Sequence, residues 1–110
     1  MPFYVLRGRY SAEAIKGMLA SPENREAAIA KVVEKAGGKL ISYYLTFGDD
    51  DWLVIIDCPN NEVALSIAIV AAAGGSTTDT KTSVAMTAKQ AMGAFKAAGE
   101  LAKSFKSAGR

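Results

Sequence analysis

Between Lys39 and Cys58 two runs rich in branched and aromatic residues, Lys39 to Phe47 and Trp52 to Cys58, are parted only by Gly48 and Asp49-Asp50-Asp51. Nothing but a turn fits there, so the pair reads as a β-hairpin. Glycine and aspartate tolerate positive φ, and aspartate carboxylates bond nearby backbone amides, which suits a tight connection. This hairpin constrains what the flanking segments can become.

Before it, Phe3 to Tyr10 reads as a strand. Ser11 caps a short helix over Ala12 to Leu19, and Ser21-Pro22-Glu23 carries the start signals of a second. In that second helix Ala28, Ile29, Val32, Val33 and Ala36 fall at helical spacing, and Gly37-Gly38 stops it. After the hairpin, Pro59-Asn60-Asn61 caps a helix over Glu62 to Ala73, ended by Gly74-Gly75, and Thr77 to Met86 reads as a polar, β-branched strand. Thr87 and Gln90 have capping-box spacing ahead of a last helix, about Ala88 to Ser107. Strand, helix, strand, strand, helix, strand, then an extra helix is the split βαβ order of a ferredoxin-like α+β fold. It predicts an antiparallel sheet with helices on one face. No linker or repeat interrupts it, so residues 1–110 are expected to form one domain, with 88–110 as a basic amphipathic C-terminal segment.

The most restrictive count for function is the absence of histidine among 110 residues. Triads built on histidine, histidine-bound haem and ordinary zinc sites are excluded. The single cysteine, Cys58, forbids an intramolecular disulfide. Neither the dinucleotide nor the Walker glycine spacing is present, and no cofactor is expected. The three aspartates lack the spacing of a calcium loop, and consecutive strand residues point to opposite faces, so no metal site is expected. Without a signal-type leader or a long apolar run, the expectation is a cytoplasmic protein with no membrane span.

Charge is unevenly spread: the chain is +2, but from Ala88 onward it is +4. Lys89, Lys96 and Lys103 recur seven apart, opposite a stripe of Phe95, Ala98, Leu101 and Phe105. That stripe is expected to dock on the domain or on a neighbouring subunit. With no aromatic residue on the lysine face for base stacking, no nucleic-acid partner is expected.

The stretches MPFYVLRGRYS, SPENREA…KAGGKL and YYLTFGDDDWLVIIDCPN resemble the GYD-domain family, over about residues 2 to 95. That family carries a Gly-Glu-Tyr-Asp-like turn after an aromatic-Leu-Thr strand. Gly48 and Asp51 match its glycine and final aspartate, whereas Asp50 stands where the tyrosine is expected. The resemblance implies a ferredoxin-like domain of the dimeric α+β barrel type.

Strand alternation sorts the side chains into two faces. Tyr4, Leu6 and Tyr10 are expected to share one with Ile41, Tyr43, Leu45 and Phe47. Phe3, Val5, Arg7 and Arg9 are expected to share the other with Leu40, Ser42, Tyr44 and Thr46. The third strand is apolar on both sides, Trp52, Val54 and Ile56 against Leu53 and Ile55. A sheet with one face in water alternates more cleanly, so the second face is expected to be covered, by another subunit or by the last helix. The candidate ligand-binding residues are Arg7, Arg9 and Tyr44, with Asp51 and Trp52 beside the turn, for an anionic small molecule held by arginine forks. The expected function is an oligomeric small-molecule-binding or accessory protein with a cavity between paired sheets. The alternative is a small cofactor-independent barrel enzyme of the monooxygenase or isomerase type.

Overall fold

The computed structural model describes residues 2–109. The elements run β1 (Phe3–Tyr10), α1 (Ala12–Ala20), α2 (Arg25–Lys35), β2 (Lys39–Leu45), β3 (Trp52–Asp57), α3 (Asn61–Ala73), β4 (Thr77–Ala85) and α4 (Ala88–Ala102). The four strands form one antiparallel sheet in the order β2-β3-β1-β4. This is the ferredoxin-like arrangement that the element order predicts.

The helix starts follow from side-chain caps. Ser11 accepts from the Ala14 amide at 3.1 Å, and Asn60 accepts from the Val63 amide at 3.0 Å. At α4, Thr87 and Gln90 exchange reciprocal bonds in a full capping box. The start of α2 differs from the sequence expectation. Ser21 ends α1, and Asn24 caps α2 by accepting from the Glu26 amide at 3.0 Å. Asparagine competes well with serine as a cap, and the Ser-Pro pair serves the link between two helices instead.

The core lies between the sheet and the helices. Tyr4, Leu6, Trp52, Val54 and Ile56 point inward from β1 and β3, meeting Val33 of α2, Ala64 and Ile67 of α3, and Cys58. Burying an aliphatic side chain of this size stabilises the fold by about 1.5–3 kcal/mol. The Tyr4 hydroxyl crosses the core to donate to Asn61 Oδ1 at 2.5 Å, tying β1 to the start of α3.

Two irregularities place side chains. A register shift between Leu40 and Ser42 turns Leu40 onto the core face and leaves Ile41 exposed, the reverse of simple alternation. A second shift, between Arg7 and Arg9 opposite β4, accompanies a positive φ of 53° at Asp79. Gly8 lies within that bulge. A Cβ there would come within 2.8 Å of the Trp52 ring and 2.9 Å of the Thr78 carbonyl oxygen, so only glycine fits. In the hairpin, Gly48 adopts φ +116°, the left-handed half of the map that turn chemistry calls for.

α4 does not pack onto the sheet. Phe95, Leu101 and Phe105 are 77%, 70% and 74% exposed. The radius of gyration, 17.9 Å, exceeds the roughly 13 Å of a 100-residue domain because this arm extends the molecule to 59 Å. The stripe therefore does not dock on its own domain: the chain turns outward after β4 instead of folding back across the sheet.

Candidate functional site

Chemically equipped side chains gather at one end of the sheet, where the β2–β3 hairpin meets the bulge of β1. They divide between its two faces.

On the face away from the helices, the hairpin is fixed by charge-assisted bonds. Asp51 Oδ2 accepts from the Tyr10 amide at 2.9 Å, and the Asp51 amide donates to the Gly8 carbonyl at 2.7 Å. Thr46 closes the turn through its amide to the Asp51 carbonyl and its hydroxyl to the Asp50 carbonyl. Arg9 donates to the Asp49 carbonyl at 3.0 Å and the Gly48 carbonyl at 3.4 Å, with a guanidinium nitrogen 3.8 Å from Asp51 Oδ1. Asp50 accepts from Lys81 Nζ at 3.0 Å and lies 3.9 Å from Arg7 Nε. The hydrogen bonds to Asp50 and then Asp79 hold the Lys81 ammonium above its ordinary pKa. A shallow concavity of about 240 Å³ opens beside this network, lined by Arg7, Thr46, Phe47, Asp49, Asp50 and Leu53 and bordered by Trp52.

Of the sequence candidates, Arg7, Arg9 and Asp51 thus meet around the hairpin. Tyr44 stands 59% exposed on the same face, across from Leu53. Trp52 is separated from them: its side chain belongs to the opposite face and is only 5% exposed. The arginine forks are partly spent on the hairpin itself, Arg9 on backbone carbonyls and Arg7 towards Asp50.

On the helix side, Trp52 packs beneath Gly8 with its ring centroid 6.5 Å from that of Tyr10, tilted by 46°. The Tyr10 hydroxyl is hydrogen-bonded to the Tyr43 hydroxyl. Burial, reinforced by that bond, pushes the Tyr10 phenol well above its ordinary pKa. A cavity of about 70 Å³ lies among these rings and Leu6, Ile29 and Val54. It adjoins a wider cleft of about 320 Å³, sharing Tyr10, Arg25 and Ser76 with it. Arg25 is bonded to Glu23 Oε1 at 2.6 Å. The Trp52 Nε1 hydrogen is buried with no acceptor. Strand alternation sets Tyr10 and Tyr43 on one face but does not link them, because a bond between phenols on non-adjacent strands depends on register. Arg25 gave no signal at all among the charges of a helix surface.

The model of the GYD domain matches residues 4–95. The chain belongs to the GYD domain family. Its fold is accordingly the ferredoxin-like α+β type of the dimeric α+β barrel proteins. In this GYD domain Asp50, which sequence resemblance sets at the motif's tyrosine position, binds Lys81 through its carboxylate, an ion pair that a neutral phenol would not make. Among solved structures, MtbAldR aligns with a TM-score of 0.53 at 10% identity, over 78% of this chain and 52% of MtbAldR. This chain therefore spans about half the length of MtbAldR, and the likeness concerns fold alone. A mutant of MhuD, crystallised with two manganese protoporphyrin IX molecules per active site, aligns with a TM-score of 0.45 at 17% identity, over 80% of this chain and 95% of MhuD. Comparison with curated proteins finds no match.

Proposed function

We propose that this GYD domain is an oligomeric small-molecule-binding or accessory protein whose subunits pair through the sheet face opposite the helices. The observation that carries the reading is the composition of that face. Val5, Leu53 and Ile55 run across its centre, Phe3 and Tyr44 flank them, and among the described residues no helix packs over them. An antiparallel sheet with one face in water is expected to present polar residues there, and a contiguous apolar patch marks an interaction surface. The charges at its border suit self-association as well. Arg7, Arg9 and Lys81 are matched within the chain by Asp50, Asp51 and Asp79, so a second copy approaching face to face meets a border without excess charge of one sign.

Pairing of two such faces would enclose the concavity beside Arg7, giving a chamber with apolar Phe47 and Leu53 and a wall of mixed charge, Arg7 against Asp49 and Asp50, in which an anionic small molecule would have to compete with Asp50 for Arg7. Native mass spectrometry of the purified full chain tests both parts. The expected spectrum is a multimer carrying a small molecule released on denaturation, and Ile55→Asp on the open face is expected to reduce it to monomer. A bare monomer before any substitution would overturn the reading.

A further inference from the structure

We propose that each protomer also holds a ligand site on the helix side of the sheet, the cavity among Tyr10, Tyr43 and Trp52, and that its ligand is a flat aromatic molecule bearing an acceptor oxygen, favourably an anionic one. This extends the binding-protein reading to a site within one subunit, and it stands whether or not the sheets pair.

The Trp52 indole has an unmet hydrogen-bonding need. An indole N–H is a donor only, and buried donors are almost always bonded. Trp52 is 5% exposed, lines the cavity, and its Nε1 has no partner. Leaving such a group unsatisfied costs about 1–3 kcal/mol, which an acceptor on a ligand would recover. The neighbouring phenols add to the same chemistry. One hydroxyl of the Tyr10–Tyr43 pair donates to the other, and the receiving oxygen keeps its own proton for a third partner. Beyond them stands Arg25, whose guanidinium has five N–H groups and is shown with one carboxylate partner, Glu23. Trp52 and Arg25 can only donate, and the phenol pair has a proton to spare.

Apart from Ser76 and Thr77, the rest of the wall is apolar. Leu6, Ile29, Val33 and Val54 surround the rings, so the part of the ligand that enters is apolar apart from its acceptor oxygen, and three aromatic side chains favour a planar one. The inner cavity, about 70 Å³, takes little more than the oxygen-bearing end. The adjoining cleft of about 320 Å³, between α1 and the start of α2, has the size typical of a small-ligand site and receives the remainder. A few convergent polar groups in an apolar recess are the usual composition of such sites.

The chain contains one tryptophan, so a single indole N–H resonance reports on the proposed bond. Naphthoate is titrated into the full-length protein and followed by the indole NMR cross-peak, with acetate as the acid lacking a ring and light scattering on the same samples. Naphthoate is expected to saturate at one site per chain and shift the indole cross-peak, while acetate at the same concentrations leaves it in place. Calorimetry on Trp52→Phe and Tyr43→Phe, each shown folded by circular dichroism, is expected to give affinities weaker by about tenfold, the size of one lost hydrogen bond. Saturable binding that leaves the indole cross-peak unmoved, affinities unaltered in both variants, or no saturation into the millimolar range would each overturn the site. Monomeric protein that binds naphthoate would defeat the pairing of sheets and spare the cleft. A multimer that does not bind would do the reverse.

Discussion

Three adjacent aspartates look alike in sequence and do different work in the fold. Asp51 accepts from the Tyr10 amide, Asp50 holds Lys81, and Asp49 contributes its carbonyl to Arg9 while its side chain is exposed. Asp51→Ala is therefore expected to lower unfolding free energy by about 1–2 kcal/mol, because a backbone donor loses a charged acceptor. Asp49→Ala is expected to change it by less than about 0.5 kcal/mol, as for an ordinary surface substitution. Urea denaturation of the two variants checks the contrast, and equal effects would contradict the division of roles. Tyr10 makes a pH prediction. Its folded pKa is raised above the unfolded value of about 10, so its contribution is complete below that pH and is lost as pH climbs through the folded value. Phenolate absorbance is expected to show a late step that accompanies loss of stability and is absent in Tyr10→Phe. Persistence of that step in Tyr10→Phe would assign it elsewhere.

At the scale of elements, α4 separates what propensity dictates from what packing adds. Its capping box and its apolar stripe are both local, yet among the described residues the stripe is left largely exposed. Removing residues 88–110 is thus expected to leave the denaturant midpoint of the remaining domain nearly unchanged in dilute solution, while raising solubility by removing exposed Phe95, Leu101 and Phe105. A domain that fails to fold without the arm would contradict its independence. The same distinction explains how much was legible in sequence. The hairpin, the caps at Ser11, Asn60 and Thr87, and the inward set Tyr4, Leu6, Val54 and Ile56 follow from spacing and turn chemistry, which are local. The register shift that exchanges Leu40 with Ile41 does not, because alternation carries no mark of an extra residue until strands are paired. For the same reason Arg7, Arg9 and Asp51 could be gathered from their nearness to the turn. The meeting of Tyr10, Tyr43, Trp52 and Arg25 depends on two strands and a helix distant in sequence.

At the scale of the whole molecule, the helix-covered face is packed and the other face is not. α4 projects outward, so among the described residues it does not cover this face, where Val5, Leu53 and Ile55 are half-buried and Tyr44 is exposed, and of the two covers expected from sequence only another subunit is left. α3 adds a further apolar surface through exposed Leu65, Ile69 and Val70, which suits assembly beyond a pair. The proposed consequence is self-association, with ligand sites arranged around or within the paired subunits. Light scattering coupled to size exclusion, on the full chain at micromolar concentration, reads this directly. The account predicts a monodisperse species of at least twice the chain mass of 11.5 kDa, and a monodisperse species at 11.5 kDa would contradict it.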